Sequence, residues 1–207
     1  MLYVIDYGSG NLRSVQKAFD YLDVCAEVGS DSRRILDADG LVLPGVGAFG
    51  AAMRELEQSG LMETIRERVT AGVPFLGICL GMQLLLEGSE EDPDVLGLGI
   101  IPGTVRSLPS GVKVPHMGWN QAEIMKDSSV LEGIPDASAF YFVHSYVAVP
   151  TRPSDVMTTT DYGVTFASGL ESGNVTAFQF HPEKSSALGL RIYSNFARIA
   201  HGEDGKG

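Results

Sequence analysis

The run Pro74-Phe75-Leu76-Gly77-Ile78-Cys79-Leu80-Gly81-Met82-Gln83-Leu84-Leu85-Leu86 is the strongest constraint on how this chain can fold. Its first part reads as a buried strand, Pro74–Ile78, and a helix is expected over Met82–Glu87, with no room for a loop between them. So abrupt a passage needs a strained backbone at the junction and almost no side chain two positions away on either side. Gly77, Cys79 and Gly81 meet that demand. The pattern has the form G-x-nucleophile-x-G, which lifts a reactive side chain from the end of a sheet. A free cysteine is more often a buried structural residue. The flanking glycines reverse that reading for Cys79, whereas Cys25, without them, keeps it.

Around this junction the chain repeats strand, helix, strand. Leu2–Asp6, Val24–Val28 and Gly40–Leu43 are short apolar runs. Leu12, Val15, Phe19 and Leu22 fall at helical steps over Asn11–Leu22, and residues 50–71 read as helix with a break near Ser59 and Gly60. Such an order implies a parallel sheet covered on both faces. From about residue 97 to 180, Gly, Pro and β-branched runs dominate. Strands are expected there at Thr104–Leu108, Val112–Pro115, Ala139–His144, Val156–Thr160, Val164–Ser168 and Val175–Phe180. The last two should form an antiparallel hairpin through Glu171–Asn174. A final helix starts at Ser185 or Ser186, either of which can cap it, and runs to about Ala200. The expected fold is α/β: an open, mostly parallel sheet flanked by helices, with an antiparallel β extension in the second half. It forms one domain over residues 1–201, followed by a disordered tail over 202–207.

Composition narrows the partners. Acidic residues number 26 against 15 basic ones, for a net charge of −11, and the longest basic run is Arg33-Arg34. No nucleic-acid partner is expected from such a surface. No apolar window reaches the roughly 18 residues of a membrane span, and the N-terminus lacks the basic region of a signal peptide. Two cysteines, with no C-x-x-C spacing, suit neither a disulfide framework nor a metal site. The expectation is a cytoplasmic protein with no metal and no cofactor.

A thiol nucleophile needs a general base oriented by a third group. His181 follows the strand Val175–Phe180 and opens His181-Pro182-Glu183, at a strand end where active-site residues collect in open α/β sheets. Glu183 can select the tautomer of His181 and support its charge. His144, at the end of Phe140–His144, is the competing base and is assigned to substrate contact. His201 lies at the C-terminal end and is a poor candidate.

The turn Gly45-Val46-Gly47-Ala48-Phe49-Gly50 matches a dinucleotide fingerprint, but it follows the third strand, and no ribose-binding acid follows it at the required spacing. It suits another purpose. The backbone N–H of Val46 or Gly47, together with that of Leu80, can form an oxyanion hole opposite Cys79.

These residues resemble the class I (triad) glutamine amidotransferases, which have a flavodoxin-like fold. Gly77-Ile78-Cys79-Leu80-Gly81-Met82-Gln83 matches the nucleophile motif and His181-Pro182-Glu183 the acid–base motif. Within that family, residues 5–12, 43–49, 114–120 and 141–146 resemble the glutaminase subunits that supply a cyclase in histidine biosynthesis. The resemblance implies that L-glutamine is hydrolysed through a thioester on Cys79. Gln83, His144, Ser145 and Tyr146 would hold the substrate. Ammonia would pass to a cyclase subunit with a (β/α)₈ barrel, in a heterodimer making imidazole glycerol phosphate and an aminoimidazole carboxamide ribotide. With no P-loop or nucleotide fingerprint of its own, the chain needs such a partner as acceptor. Trp119, the only tryptophan, either meets that partner or packs internally, and Asn11, Tyr141 and Lys184 are further interface candidates. The rivals are an amidotransferase of another pathway, a hydrolase acting alone, and a binding domain with a dead site.

Overall fold

The structure is a computed structural model describing residues 1–8 and 10–202. Its strands are β1 (Leu2–Ile5), β2 (Ala26–Gly29), β3 (Gly40–Gly45), β4 (Phe75–Cys79), β5 (Gly88–Ser89), β6 (Gly103–Ser107), β7 (His116–Ile124), β8 (Ser138–His144), β9 (Tyr146–Pro150), β10 (Val156–Asp161), β11 (Thr165–Ser172) and β12 (Val175–Phe178). Its helices are α1 (Leu12–Tyr21), α2 (Ser32–Leu36), α3 (Phe49–Gln58), α4 (Met62–Thr70), α5 (Leu80–Leu84) and α6 (Ser186–Ala200).

The sheet runs β2-β1-β3-β4-β12-β11-β10-β7-β8. Its first five strands are parallel. From β12 onward the pairing is antiparallel, with β9 bridging β11 and β6. This is the expected α/β sheet with its antiparallel extension.

Apart from the half-buried edge strand β2, the parallel strands are buried on both faces, and their period of two divides the core. Leu2, Val4, Val42, Leu76 and Ile78 pack with Val15 and Phe19 of α1 and Ile192, Tyr193 and Phe196 of α6. Tyr3, Ile5, Leu41, Leu43 and Phe75 pack on the other face with Phe49, Leu56, Ile65 and Leu80. Each fully buried Leu, Ile or Phe contributes about 1.5–3 kcal/mol. The expected helix over 50–71 is two helices, α3 and α4, parted where Gly60 takes φ 70°.

Several expectations are corrected. Val112–Pro115 is not a strand, because Pro115 has no N–H for a ladder; the strand begins at His116. β7 escapes a hydrophobic reading because one of its faces is open, so that Met117 and Trp119 are exposed. The helix after the junction starts at Leu80 and ends at Leu84, earlier at both ends than Met82–Glu87. β2 begins at Ala26, since the Val24 N–H bonds back to Phe19 O at 3.0 Å. β11 reaches Ser172, so the hairpin turn is tighter than Glu171–Asn174. Ser185 sits at the N-cap of α6 without capping it through its side chain. Gly202 closes a turn onto Ile199 O, and the rest of the expected tail, residues 203–207, lies outside the described residues.

Candidate active site

β12, almost last in the chain, inserts parallel to β4, with Phe178 opposite Ile78. That pairing brings the end of β12, and His181 just beyond it, alongside Cys79.

Cys79 has φ 54° and ψ −109°, a backbone region that costs an L-residue about 1–3 kcal/mol. The glycines make the strain tenable. A Cβ on Gly81 would stand 1.8 Å from Leu43 O of β3. One on Gly77 would meet Ala177 Cβ, Gly81 O and Leu85 Cδ1, each at 3.1 Å. Cys79 is itself nearly buried, with 6% of its surface exposed.

Beyond β12, Pro182–Lys184 forms a 3₁₀ turn that folds Glu183 back on the ring before it. His181 Nδ1–H donates to Glu183 Oε1 at 2.7 Å, and both side chains are fully buried. Two more groups, one from the chain's beginning and one from α6, complete the carboxylate: Asn11 Nδ2 donates to Oε1, and Tyr193 Oη donates to Oε2 at 3.1 Å. His181 N–H bonds Tyr141 O at 2.9 Å. Ser185 Oγ accepts from Tyr141 N–H at 3.0 Å and donates to His181 O at 2.7 Å. The hydroxyl expected to cap α6 therefore clamps the His181 loop to β8 instead.

His181 Nε2 is buried without a closed hydrogen bond, and Cys79 is near enough to act on the ring. Such contacts are often long without substrate. Burial opposes a charge on His181, but Cys79 and Glu183 overcome it and push the imidazole up to about 9. Burial also works against the Glu183 carboxylate, yet His181 and Asn11 hold it below its ordinary value. Because the His181 value is raised above its unfolded one, its charge stabilises the fold fully below about pH 6.5. That contribution is lost as pH rises through about 9.

A cleft of about 300 Å³ opens over Cys79 and His181. Val46, Gly47, Leu80, Gln83, His144, Ser145 and Tyr146 all line it, so the expected oxyanion and substrate residues are gathered in one place. Glu91, Pro115 and Val143 also line it, and Glu91 Oε2 accepts the Phe49 N–H at 2.8 Å. Among the described residues no group of three His, Cys, Asp or Glu side chains is placed to hold a metal.

One carbonyl fixes two tautomers. Tyr146 O can only accept, so His144 Nδ1 carries a proton toward it at 2.9 Å. Burial lowers His144 to about 3, leaving it neutral with Nε2 as an acceptor. His116 Nδ1 therefore donates to His144 Nε2 at 2.8 Å, and His116 Nε2 faces Asn120 Nδ2 at 3.3 Å. With both nitrogens engaged, His144 is not free to act as base on Cys79.

The interface candidates stand apart from the cleft. Trp119 is 55% exposed and meets Tyr141 edge to face, with ring centroids 6.2 Å apart; Lys184 is exposed. Asn11, half-buried, also donates to Glu183 Oε1. Sequence reading had no role for Gln179 or Tyr193, although a glutamine between Phe178 and Phe180 in an apolar strand was a visible signal.

The family profile described as Glutamine amidotransferase class-I matches residues 3–199. The HisH subunit of imidazole glycerol phosphate synthase from Moorella thermoacetica is 52% identical over 196 residues, covering 95% of this chain and 93% of the relative. The chain belongs to the class I glutamine amidotransferases, in the HisH family. The HisH subunit from Aquifex aeolicus is 54% identical over 198 residues, covering 95% of this chain and 96% of the relative. A crystal structure of a glutamine amidotransferase shares the fold at TM-score 0.73 and 21% identity, over 96% of this chain and 98% of that one. Among the described residues of this amidotransferase, no helix is long and apolar enough to cross a membrane.

Proposed function

We propose that the chain hydrolyses L-glutamine to L-glutamate and ammonia, with Cys79 as nucleophile, His181 as acid–base and Glu183 as its orienter. One observation carries the reading: a cysteine strained at the end of β4 beside a buried His–Glu pair, near enough for the sulfur to act on the imidazole. Cys79 Sγ passes its proton to His181 Nε2, and the thiolate attacks the side-chain amide carbon of glutamine. The oxyanion that forms is met by the backbone N–H of Leu80 and of the Val46–Gly47 turn. The His181 imidazolium protonates the departing nitrogen, and ammonia leaves. A water that gives its proton to the now neutral His181 attacks the thioester, and glutamate departs as the thiol re-forms. Gln83 and the His144-Ser145-Tyr146 segment hold the substrate, the His144 ring itself being bonded to His116 and Tyr146 O.

Relatedness to HisH subunits supports ammonia transfer to a cyclase subunit with a (β/α)₈ barrel in histidine biosynthesis. The products there are imidazole glycerol phosphate and an aminoimidazole carboxamide ribotide. The unit is one amidotransferase domain over residues 1–201, working as a cytoplasmic heterodimer. It docks through the face carrying Trp119, Tyr141, Lys184 and Asn11; the exposure of Trp119 and Lys184 supports this.

The deciding experiment is glutamate release by the purified chain, with and without the cognate cyclase and its nucleotide ligand. Strong stimulation is expected, since ammonia made without an acceptor is lost. Equal rates would make the chain an independent hydrolase, and silence in both would favour a binding domain.

A pH prediction follows from His181. Departing ammonia needs the imidazolium, so kcat/KM should fall as pH rises through about 9, where His181 loses its proton. A rate that keeps rising beyond that pH would remove His181 as the acid.

A further inference from the structure

Two buried glutamines stand beside the sulfur, Gln83 in the wall of the substrate cleft and Gln179 bonded to it. Gln83 is 5% exposed and Gln179 fully buried, so their amides must find partners inside the protein. The orientation of each amide is forced. Gln83 Nε2 lies 3.1 Å from Tyr146 O, which can only accept, so the NH₂ end of Gln83 points there. The same Nε2 lies 2.9 Å from Gln179, which must therefore present its oxygen. That leaves the Gln179 NH₂ end 3.7 Å from Cys79 Sγ, within hydrogen-bond reach for sulfur. Tyr146 O also takes the His144 Nδ1–H, which ties the chain of bonds to β8.

Gln179 stands at the end of β12, between the fully buried Phe178 and Phe180. An apolar side chain would fill that space without desolvating an amide. What the amide adds is a donor on the sulfur and an acceptor for Gln83. We propose that Gln179 is a further catalytic residue, donating its side-chain N–H to Cys79 Sγ when the sulfur carries charge. It holds the sulfur on line for attack, and again as it leaves the thioester. Through Gln83 the same amide couples the position of the sulfur to the wall of the substrate cleft. The inference deepens the glutaminase reading and rests on Cys79 being its nucleophile.

The test is Gln179→Met in the complex with the cognate cyclase, a variant of similar length without the N–H. Glutamate release should fall roughly 10- to 100-fold in kcat, the worth of one hydrogen bond to a charged atom. KM should change less than kcat, since Gln83 loses one acceptor but keeps its bond to Tyr146 O. A folded variant with wild-type kcat overturns the proposal, because a merely structural side chain would move the melting temperature and leave kcat alone. Should the variant fail to fold, the wild-type chain decides. Its Gln179 side-chain amide resonance should shift in step with the ultraviolet absorbance of the Cys79 thiolate, and that response should vanish in Cys79→Ala. His181, His144 and Glu91 are the other charged or chargeable groups around the same cleft, with Glu183 bonded to His181 and His116 to His144, which is why the Ala control is needed. A resonance indifferent to Cys79 overturns the proposal. Wild-type glutamate release, read in parallel, tests the glutaminase reading separately: silence there sinks that reading, while the resonance still reports the contact.

Discussion

Cys79→Ala should abolish glutamate release, by roughly five to six orders of magnitude, while the complex continues to make its products from free ammonia. The substitution isolates the chemistry. Alanine has the same Cβ as cysteine, so it pays the same cost at φ 54° and leaves the turn in place. What it removes is one nearly buried sulfur, worth about 1 kcal/mol of stability. That corresponds to about 2–4 °C in Tm for a chain of this size. Cys25, read from the sequence as a buried structural cysteine, is instead exposed, because it precedes the edge strand β2 at the end of the sheet opposite Cys79, and it cannot substitute for the missing thiol. Loss of ammonia-dependent synthesis as well would make Cys79 a structural residue. Surviving glutamine hydrolysis would place the nucleophile elsewhere.

Gly81→Ala should be among the most damaging single-methyl changes in this fold. The new Cβ would stand 1.8 Å from Leu43 O and 2.9 Å from Leu43 C, both backbone atoms of the adjacent strand β3. A flexible side chain could swing aside, but a carbonyl in the middle of a parallel sheet cannot. α5 must therefore lift from β3, carrying the Leu80 N–H and Cys79 with it. A clash of this kind costs about 3–5 kcal/mol, or on the order of 10 °C in Tm. A displacement of only about 1 Å at the sulfur would lower kcat roughly 100-fold in whatever fraction stays folded. Calorimetry and the glutaminase assay together check this. A variant that melts and turns over like wild type would show that the glycine is not required by space.

Much of this architecture is legible in the residues because its causes are local. The buried parallel strands announce themselves as continuous apolar runs, since both faces are covered. The nucleophile turn is legible because its steric demand falls on Gly77 and Gly81, within two residues of Cys79. The break between α3 and α4 is marked by Gly60. Strands with one open face are harder to read: β7 mixes Trp119, Asn120 and Gln121 with glycine and shows little apolar alternation. The helix after Cys79 was set too late because helical periodicity alone does not reveal where a turn of such geometry begins.

Beyond the His181–Glu183 pair, the polar wiring of the site was not read from the residues. Asn11 reaches Glu183 across 172 positions, and Gln179 reaches Cys79 across 100. Ser185 reads as a helix cap but clamps the His181 loop to β8, because Tyr141 N–H and His181 O compete for its hydroxyl. The tautomers of His116 and His144 follow from a single carbonyl that only the pairing of β7 with β8 and the turn into β9 bring into place. Sequence alone therefore determined the fold class, the strained cysteine and the identity of its candidate partners, since each is written in residue types at short spacing. Tertiary structure decided which buried donor meets which acceptor. A buried polar atom must be satisfied by whatever the fold brings within about 3 Å, and that neighbour is set by how distant strands pair.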